Sequence, residues 1–526
     1  MARVSDPNIR GPAPEVPTRQ PDRWATDPFR LGTSEQFAAL RRWLTAVGFT
    51  EAGLAAPDGI WINSNSPPAG ERAAAVVPIT DTRSLLTQLF LEGLAVPFAT
   101  VDSILAPAER SMLDDLGLLQ PAIADPMRCV GTVALYPMEN IYLASDRHGG
   151  LEWVGQGVAG DIVYSALTPE THRFVRLLPR ARCTEYLELC AGTGVAAILA
   201  GANFADHAWA VDITERATRF AGFNARLNGL GNVITQKGDL YQPVAGRTFD
   251  VIVAHPPYVP SFTNNVVFRD GGEDGEQVTR RILGGLAEHL RPGGQFYCDC
   301  TMTDRRGAPL EQRVRRMLGT AESEFDVLVA QSRALDPVEQ YGQGVRSGRS
   351  TPEEFARQLE TFERLEIEAF VSAVILIRRR TSVGTVITAR RMLSDSTTAA
   401  HLQWLLGYLV GTADWTEADI ARILDTMPRC LPTTEVRTRS SLRNGVWTVA
   451  GSQLATAAPF AVMADCPPWF QALLGGFDGK TKARAHFDRL RRAAVVPDLT
   501  SDRQCAALVR QLADGGFIEL EMFPLP

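Results

Sequence analysis

Residues 251–261, VIVAHPPYVPS, run through four apolar residues and turn at His255 into two prolines and a tyrosine. A neutral imidazole accepts one hydrogen bond through a ring nitrogen, or takes up a proton as a general base near neutral pH. Pro256 and Pro257 restrict the backbone that presents it, and Tyr258 adds a ring on which a planar acceptor group can stack. Such a tetrapeptide suits a reaction in which a lone pair must be held in line with an electrophile. A histidine packed structurally at the turn is the plainer reading.

Upstream, YLELCAGTGVAAI joins a strand ending near Glu188 to a helix through the small-residue turn Cys190, Ala191, Gly192, Thr193 and Gly194. Glycine lets backbone approach a ligand where a Cβ would clash. Read from Gly192, the loop also fits the looser dinucleotide pattern GxGxxA, so by itself it does not separate cofactor classes. Two further acids close strands. Asp212 ends AWAVD, where a carboxylate can take both ribose hydroxyls of a nucleoside. Asp239 in KGDLY follows the next strand, where its side chain and the neighbouring Leu240 amide can read an adenine edge. An open α/β sheet binds its ligand at the C-terminal ends of parallel strands. Any one of these acids alone would be an ordinary helix cap or a solvated side chain.

The elements that must position these groups alternate. CTEYLEL, HAWAVD, NVITQ, FDVIVA and GQFYCDC read as strands, and GVAAILAGANF, TERATRFAGFNARLNGL and GEQVTRRILGGLAEHL as helices, which predicts a parallel sheet covered on both faces. Thr214 is the expected N-cap of the second helix. In the third, Val278, Ile282, Leu286 and Leu290 fall on one stripe. FVSAVILIRRR ends the region as an apolar strand with a basic finish at Arg378 to Arg380.

With the three acids and AHPPY at successive strand ends, the region from about 160 to 381 resembles the class I S-adenosylmethionine-dependent methyltransferases, and more narrowly their protein-glutamine and nucleic-acid amine methyltransferase branch. The resemblance implies an α/β, Rossmann-like, seven-stranded domain that binds S-adenosyl-L-methionine. It implies that Glu188, Gly192 and Gly194, with Cys190 and Ala191 between, cradle the methionine portion. Asp212 would hold the ribose, Ile213 would pack on the adenine, and Asp239 with Leu240 would hydrogen-bond it. Thr168, Pro169 and Glu170 lie where relatives carry a segment that closes over the cofactor. In the family the tetrapeptide is Asn- or Asp-Pro-Pro-Tyr, so His255 is a departure. An imidazole cannot present the carbonyl of Asn, which places a glutamine or adenine acceptor in doubt and admits a hydroxyl, carboxylate, amine or heterocyclic nitrogen.

The remaining sequence sets the frame. A chain of 526 residues exceeds one compact core. We expect a proline-rich tail over 1–25, with five prolines, a small domain over 26–150, the methyltransferase domain over 151–381 and a C-terminal domain over 382–526. Short helices followed by paired strands suggest α+β winged-helix-like flanks. In the first, Phe37, Leu40, Trp43 and Leu44 share a face behind an expected cap at Ser34, and MRCVGTVALYP and NIYLASD form a hairpin turning at Met138 and Glu139. The net charge of −7 gives no global basic footprint for nucleic acid, and 479–492 is the most basic stretch. The eight cysteines show no CxxC spacing, and no metal is expected. No apolar run reaches the ~20 residues of a membrane span, and a cytoplasmic location is expected. The acceptor is open among protein, nucleic acid and small molecule, and so is the oligomeric state. The alternative to an enzyme is a cofactor-sensing, nucleic-acid-binding regulator.

Overall fold

The computed structural model describes residues 28–55, 78–122, 125–147, 160–262, 267–346, 351–414, 416–496 and 501–526. The expected proline-rich tail lies outside them.

At the centre is one sheet of eight strands: β1 (Cys183–Leu189), β2 (Ala205–Asp212), β3 (Val233–Lys237), β4 (Phe249–Ala254), β5 (Leu290–Arg305), β6 (Phe325–Leu335), β7 (Ile367–Arg379) and β8 (Thr388–Met392). Across the sheet they run β8-β6-β7-β5-β4-β1-β2-β3. Strands β3, β2, β1, β4 and β5 are mutually parallel. β7 is antiparallel to both β5 and β6, and β8 is parallel to β6. The chain order reverses between β1 and β4, so a crevice opens there at the strands' C-terminal ends. Six helices matter for what sits in it: α1 (Pro169–Arg176), α2 (Val195–Asn203), α3 (Glu215–Leu227), α4 (Gln277–Gly284), α5 (Pro337–Arg346) and α6 (Pro352–Arg364). Thr214 caps α3 as expected, its hydroxyl accepting from the Ala217 amide.

The sequence expectation needs correction in several places. The sheet has eight strands where seven were expected. The eighth, TARRM, is short, polar and half-exposed, a pattern that periodicity does not mark as a strand, and it lies beyond the expected 381/382 boundary. That boundary is moved further by the helix Ala399–Gly411, whose Leu402, Leu405 and Leu406 enter the central core. On the other side the hairpin Ala134–Met138 and Ile141–Ser145 also packs there, through Tyr136, Met138, Ile141 and Leu143, so 150/151 does not separate two cores either. This hairpin turns at Glu139 and Asn140, both at positive φ, one residue later than expected, and MRCVG forms a separate strand (Arg128–Gly131). The first helix is capped by Thr33, not Ser34. Helix α4 ends at Gly284, and the next residue, Gly285, packs where a Cβ would meet the Tyr241 ring at 2.5 Å.

Both flanks contain short helices and small antiparallel sheets, one formed by Val96–Pro97, Arg128–Gly131 and Leu119–Pro121, the other by Thr434–Arg443, Val446–Thr456 and Val462–Cys466. Their assignment as winged helices is a proposal. The N-terminal flank is fused to the centre through apolar contact, since Phe37, Leu40 and Leu44 share one cluster with Phe220, Phe223 and Leu227 of α3. A buried ion pair joins Asp146 to Arg216 of α3. Asn224, fully buried on the same helix, accepts from the Ala144 amide at 2.7 Å and donates to the carbonyls of Ala144 and Thr193 at 3.0 Å each. One side chain therefore ties the hairpin to the glycine loop. Asn224→Ala strands three buried backbone groups and is expected to cost about 1–3 kcal/mol, read as a lowered midpoint in urea unfolding; an unchanged midpoint would show the hairpin is not held this way.

The basic stretch 479–492 is largely spent internally. Its helix Ala483–Arg492 buries Ala483, His486, Phe487 and Leu490, while Arg484 and Arg491 pair with Asp502 and Lys482 lies 3.9 Å from Asp425. Arg378 and Arg379 at the end of β7 pair with Asp326 and Glu324. No helix among the described residues is long and apolar enough to cross a membrane.

Candidate active site

Strand β1 delivers Glu188 to the sheet's C-terminal edge, only 3% exposed, and its carboxylate accepts from the first-turn amides of α2, Ala196 at 3.2 Å and Ala197 at 2.8 Å. Burial pushes this carboxyl up to about 8, with the two amides pulling the other way. Sequence reading placed Glu188 in the methionine cradle; the structure gives it a supporting contact, locking the glycine loop between β1 and α2.

That loop needs its residues' conformational freedom. Gly192 sits at φ +53°, and a Cβ there would meet nothing within 4 Å, so its backbone faces open space. Gly194 sits at φ +75°, and its Cβ would press on Ala221 of α3 at 3.0 Å. The first glycine leaves room for a ligand and the second lets two helices approach.

Strand β2 ends in Asp212. One carboxylate oxygen accepts the Gly192 amide at 2.9 Å, and the other accepts the Thr214 amide and hydroxyl at 3.0 and 3.1 Å. Burial raises its pKa, against the pull of these hydrogen bonds. The next residue, Ile213, is 53% exposed although large and apolar, a flat patch beside the carboxylate. After β3, Asp239 pairs with Arg281 of α4 at 2.7 Å, and Leu240 takes φ +51°.

Strand β4 ends at His255. Its ring lies 5.4 Å from Phe174 of α1 and 5.9 Å from Tyr258, the latter nearly parallel at 19°. Burial pushes its pKa below the ordinary value of 6.5, so the ring is neutral at pH 7. Thr168 caps α1 by accepting the Thr171 amide at 3.3 Å.

One cavity of about 1190 Å³ gathers these groups. Thr168, Glu188, Cys190, Ala191, Gly192, Asp212, Ile213, Asp239, Leu240 and the four residues His255 to Tyr258 all line it. Gly194 does not, consistent with its packing against α3. Cys298 and Cys300 are buried in the apolar core of β5.

Sequence reading missed three contributions to the site. Arg173 of α1 makes a two-pronged ion pair with fully buried Asp299 of β5, Nε to Oδ2 at 2.8 Å and Nη2 to Oδ1 at 2.5 Å, next to His255. The only signal was an acid at the end of a strand in FYCDC, where the cysteines drew attention. Arg281 of α4 was read only as part of a helix. The third is a wall of the cavity built from β6, α5 and α6, carrying Arg333, Gln340, Tyr341 and Arg357. Helices α5 and α6 occupy the connection between antiparallel β6 and β7, where sequence reading assigned no element.

Residues 163–324 match the family described as Methyltransferase small domain. Among curated proteins, the chain is 37% identical over 126 residues to the ribosomal protein uL3 glutamine methyltransferase of Bradyrhizobium diazoefficiens, covering 22% of this chain and 39% of the relative. It is 31% identical over 125 residues to the release factor glutamine methyltransferase of Thermodesulfovibrio yellowstonii, covering 22% and 45%. The matched region thus spans less than half the length of either relative. A solved structure, the ribosomal protein L11 methylase of Lactobacillus delbrueckii subsp. bulgaricus, is similar over 38% of this chain and 71% of its own at 18% identity, with a TM-score of 0.23. The matched residues 163–324 hold the parallel strands β1 to β5, so the family likeness falls on the part of the sheet that carries the cavity's strand ends.

Proposed function

We propose that this chain transfers a methyl group from S-adenosylmethionine to a nitrogen or oxygen nucleophile held at His255, Pro256, Pro257 and Tyr258. The observation that carries this reading is that one cavity contains both the strand-end carboxylates and the HPPY turn. The residues fit the cofactor: Gly192 leaves space where a Cβ would stand, Asp212 offers a carboxylate, and exposed Ile213 offers an apolar face beside it. Asp212 would hold the ribose hydroxyls, Ile213 would cover the adenine, and Asp239 with the Leu240 amide would meet its edge. When bound, S-adenosylmethionine supplies an electrophilic methyl carbon.

This chain's own residues then position the nucleophile. Pro256 and Pro257 limit the turn, Tyr258 provides a wall, and a neutral His255 ring nitrogen accepts the nucleophile's hydrogen, orienting its lone pair or taking the proton as the new bond forms. The ion pair of Arg173 with Asp299 fixes α1 against β5 and so fixes Phe174 against the imidazole. The relatives named above are glutamine methyltransferases. For this chain an amine, hydroxyl, carboxylate or heterocyclic acceptor is the better match, since an imidazole does not offer the carbonyl that Asn presents to an amide NH2.

The test is calorimetry with S-adenosylmethionine, followed by incubation with methyl-labelled cofactor and cell extract split into protein, nucleic-acid and small-molecule fractions. Saturable one-site binding and label in one fraction are expected. Absence of cofactor binding by the intact chain would overturn the reading.

A further inference from the structure

Several charged groups that line the cavity are engaged with a neighbour. Arg269 is paired with Asp270 at 2.9 Å and Arg281 with Asp239. The Glu354 carboxylate is spent on the start of α6, accepting the Thr351 amide at 2.9 Å. Glu188, Asp212 and Asp239 belong to the cofactor end. Glu170 perturbs His255, Arg173 and Tyr258, which places it beside the reacting group. Arg333 and Arg357, both exposed, line the same cavity and make no ion pair among the described residues.

Their placement is structural and specific. Arg333 lies just past an irregularity in the β6 register, directly opposite Ser372 of β7, which in turn lies opposite Thr301 of β5. The hydroxyls of Ser372 and Thr301 are 3.0 Å apart, and both residues line the cavity. This row begins two residues beyond Asp299, so it leads from the His255 end toward Arg333. Arg357 comes from helix α6 of the same wall, which is held on β7 by a trio of rings: Tyr341, Phe362 and Phe370 lie within 5.1 Å of one another, centroid to centroid. Two guanidiniums that line one cavity without an ion pair among the described residues suit an oxyanion, because the planar fork matches carboxylate and phosphate oxygens. The cavity volume also exceeds the ~300–1,000 Å³ that holds one drug-sized ligand, which leaves room for a second small molecule beside the cofactor.

Resting on the methyl-transfer reading, we propose that the acceptor is a small molecule bearing a carboxylate or phosphate group, its nucleophile at His255 and its anionic group between Arg333 and Arg357. Ser372 and Thr301 are the hydroxyls along its path.

The experiment passes the small-molecule fraction of a cell extract over an anion exchanger at neutral pH, then assays retained and unretained pools with the full chain and methyl-labelled cofactor. Labelled product should come from the retained pool. Phosphatase treatment of that pool separates the two sources: surviving activity indicates a carboxylate, lost activity a phosphate. In the R333A/R357A protein the KM for this pool should rise about tenfold or more with kcat little changed, while Arg443→Ala, on an exposed hairpin outside the cavity, leaves both unchanged. Label arising only from the unretained pool, label confined to protein or nucleic acid, or an unaltered KM in the double variant would overturn the proposal. Calorimetry with S-adenosylmethionine, run on each protein, keeps this separate from the underlying reading. Intact cofactor binding with no anionic acceptor refutes the inference alone, and loss of binding in the unaltered chain refutes both.

Discussion

His255→Ala is expected to lower turnover by about 10²–10⁴ if the imidazole takes the proton, with S-adenosylmethionine affinity unchanged. The residue follows strand β4 and lies between a tilted Phe174 ring and a nearly parallel Tyr258 ring, with no part assigned in the cofactor end of the cavity. The sign of the pH dependence follows from its burial. The working form is the neutral ring, which is present above its folded pKa, and burial places that pKa below 6.5. Activity is therefore at its plateau at pH 7 and above, and falls only as pH drops through that lowered pKa. His255→Asn removes that acid limb. It retains much of the rate on an amine acceptor if a hydrogen-bond acceptor is all that is needed, and loses it if proton uptake is required. Tyr258→Phe keeps the ring and should change little, whereas Tyr258→Ala removes the wall and should raise KM. A pH-rate profile of the four proteins decides among these. Full activity in His255→Ala would reduce the histidine to a turn residue, leaving Tyr258 and the two prolines as the acceptor elements.

The parts of the site legible in the sequence are those fixed by local pattern. Apolar runs ending in Glu188, Asp212 and His255 mark strands whose last residue faces a crevice, and the alternation of strand and helix is what forces those ends to one edge. The same alternation hides what depends on distant pairing. Asp299 is one residue between two buried cysteines, and nothing near it in sequence announces Arg173, which lies 126 positions earlier. β8 is polar because it is a sheet edge, so it lacks the apolar signature of the strands inside. Helices α5 and α6 were missed because they bury little: α6 contributes only Thr361 and Phe362 to the interior, and its remaining surface faces solvent or the cavity. The expected domain limits rest on the same local pattern. The hairpin 134–145 and the helix 399–411 look like parts of their flanks by composition, yet their apolar side chains fill the central core. Charge counting marks 479–492 as the most basic stretch but not how that charge is used, since Arg484 and Arg491 meet Asp502, 18 and 11 residues away.

The last expectation concerns Asp212, where structure enlarges the effect that sequence alone would assign. A carboxylate taking two ribose hydroxyls makes charge-assisted hydrogen bonds of roughly 1.5–3 kcal/mol each, so removing both weakens S-adenosylmethionine binding by at least about 10². In addition, the same carboxylate holds the Gly192 amide on one side and the Thr214 amide and hydroxyl on the other. Asp212→Ala therefore frees the glycine loop and the start of α3 together, and it should also lower the unfolding midpoint. Asp212→Asn separates the two contributions. It keeps the size and one oxygen to accept from Gly192 or Thr214, but sets an NH2 against the other donor and gives up the charge, so its stability should lie between those of Asp212→Ala and the unaltered chain while its affinity remains far below. Calorimetry with S-adenosylmethionine on both variants, beside urea unfolding of each, reads the two quantities independently. Unchanged affinity in Asp212→Asn would mean that the carboxylate serves only to brace the loops and that the ribose is held elsewhere in the cavity.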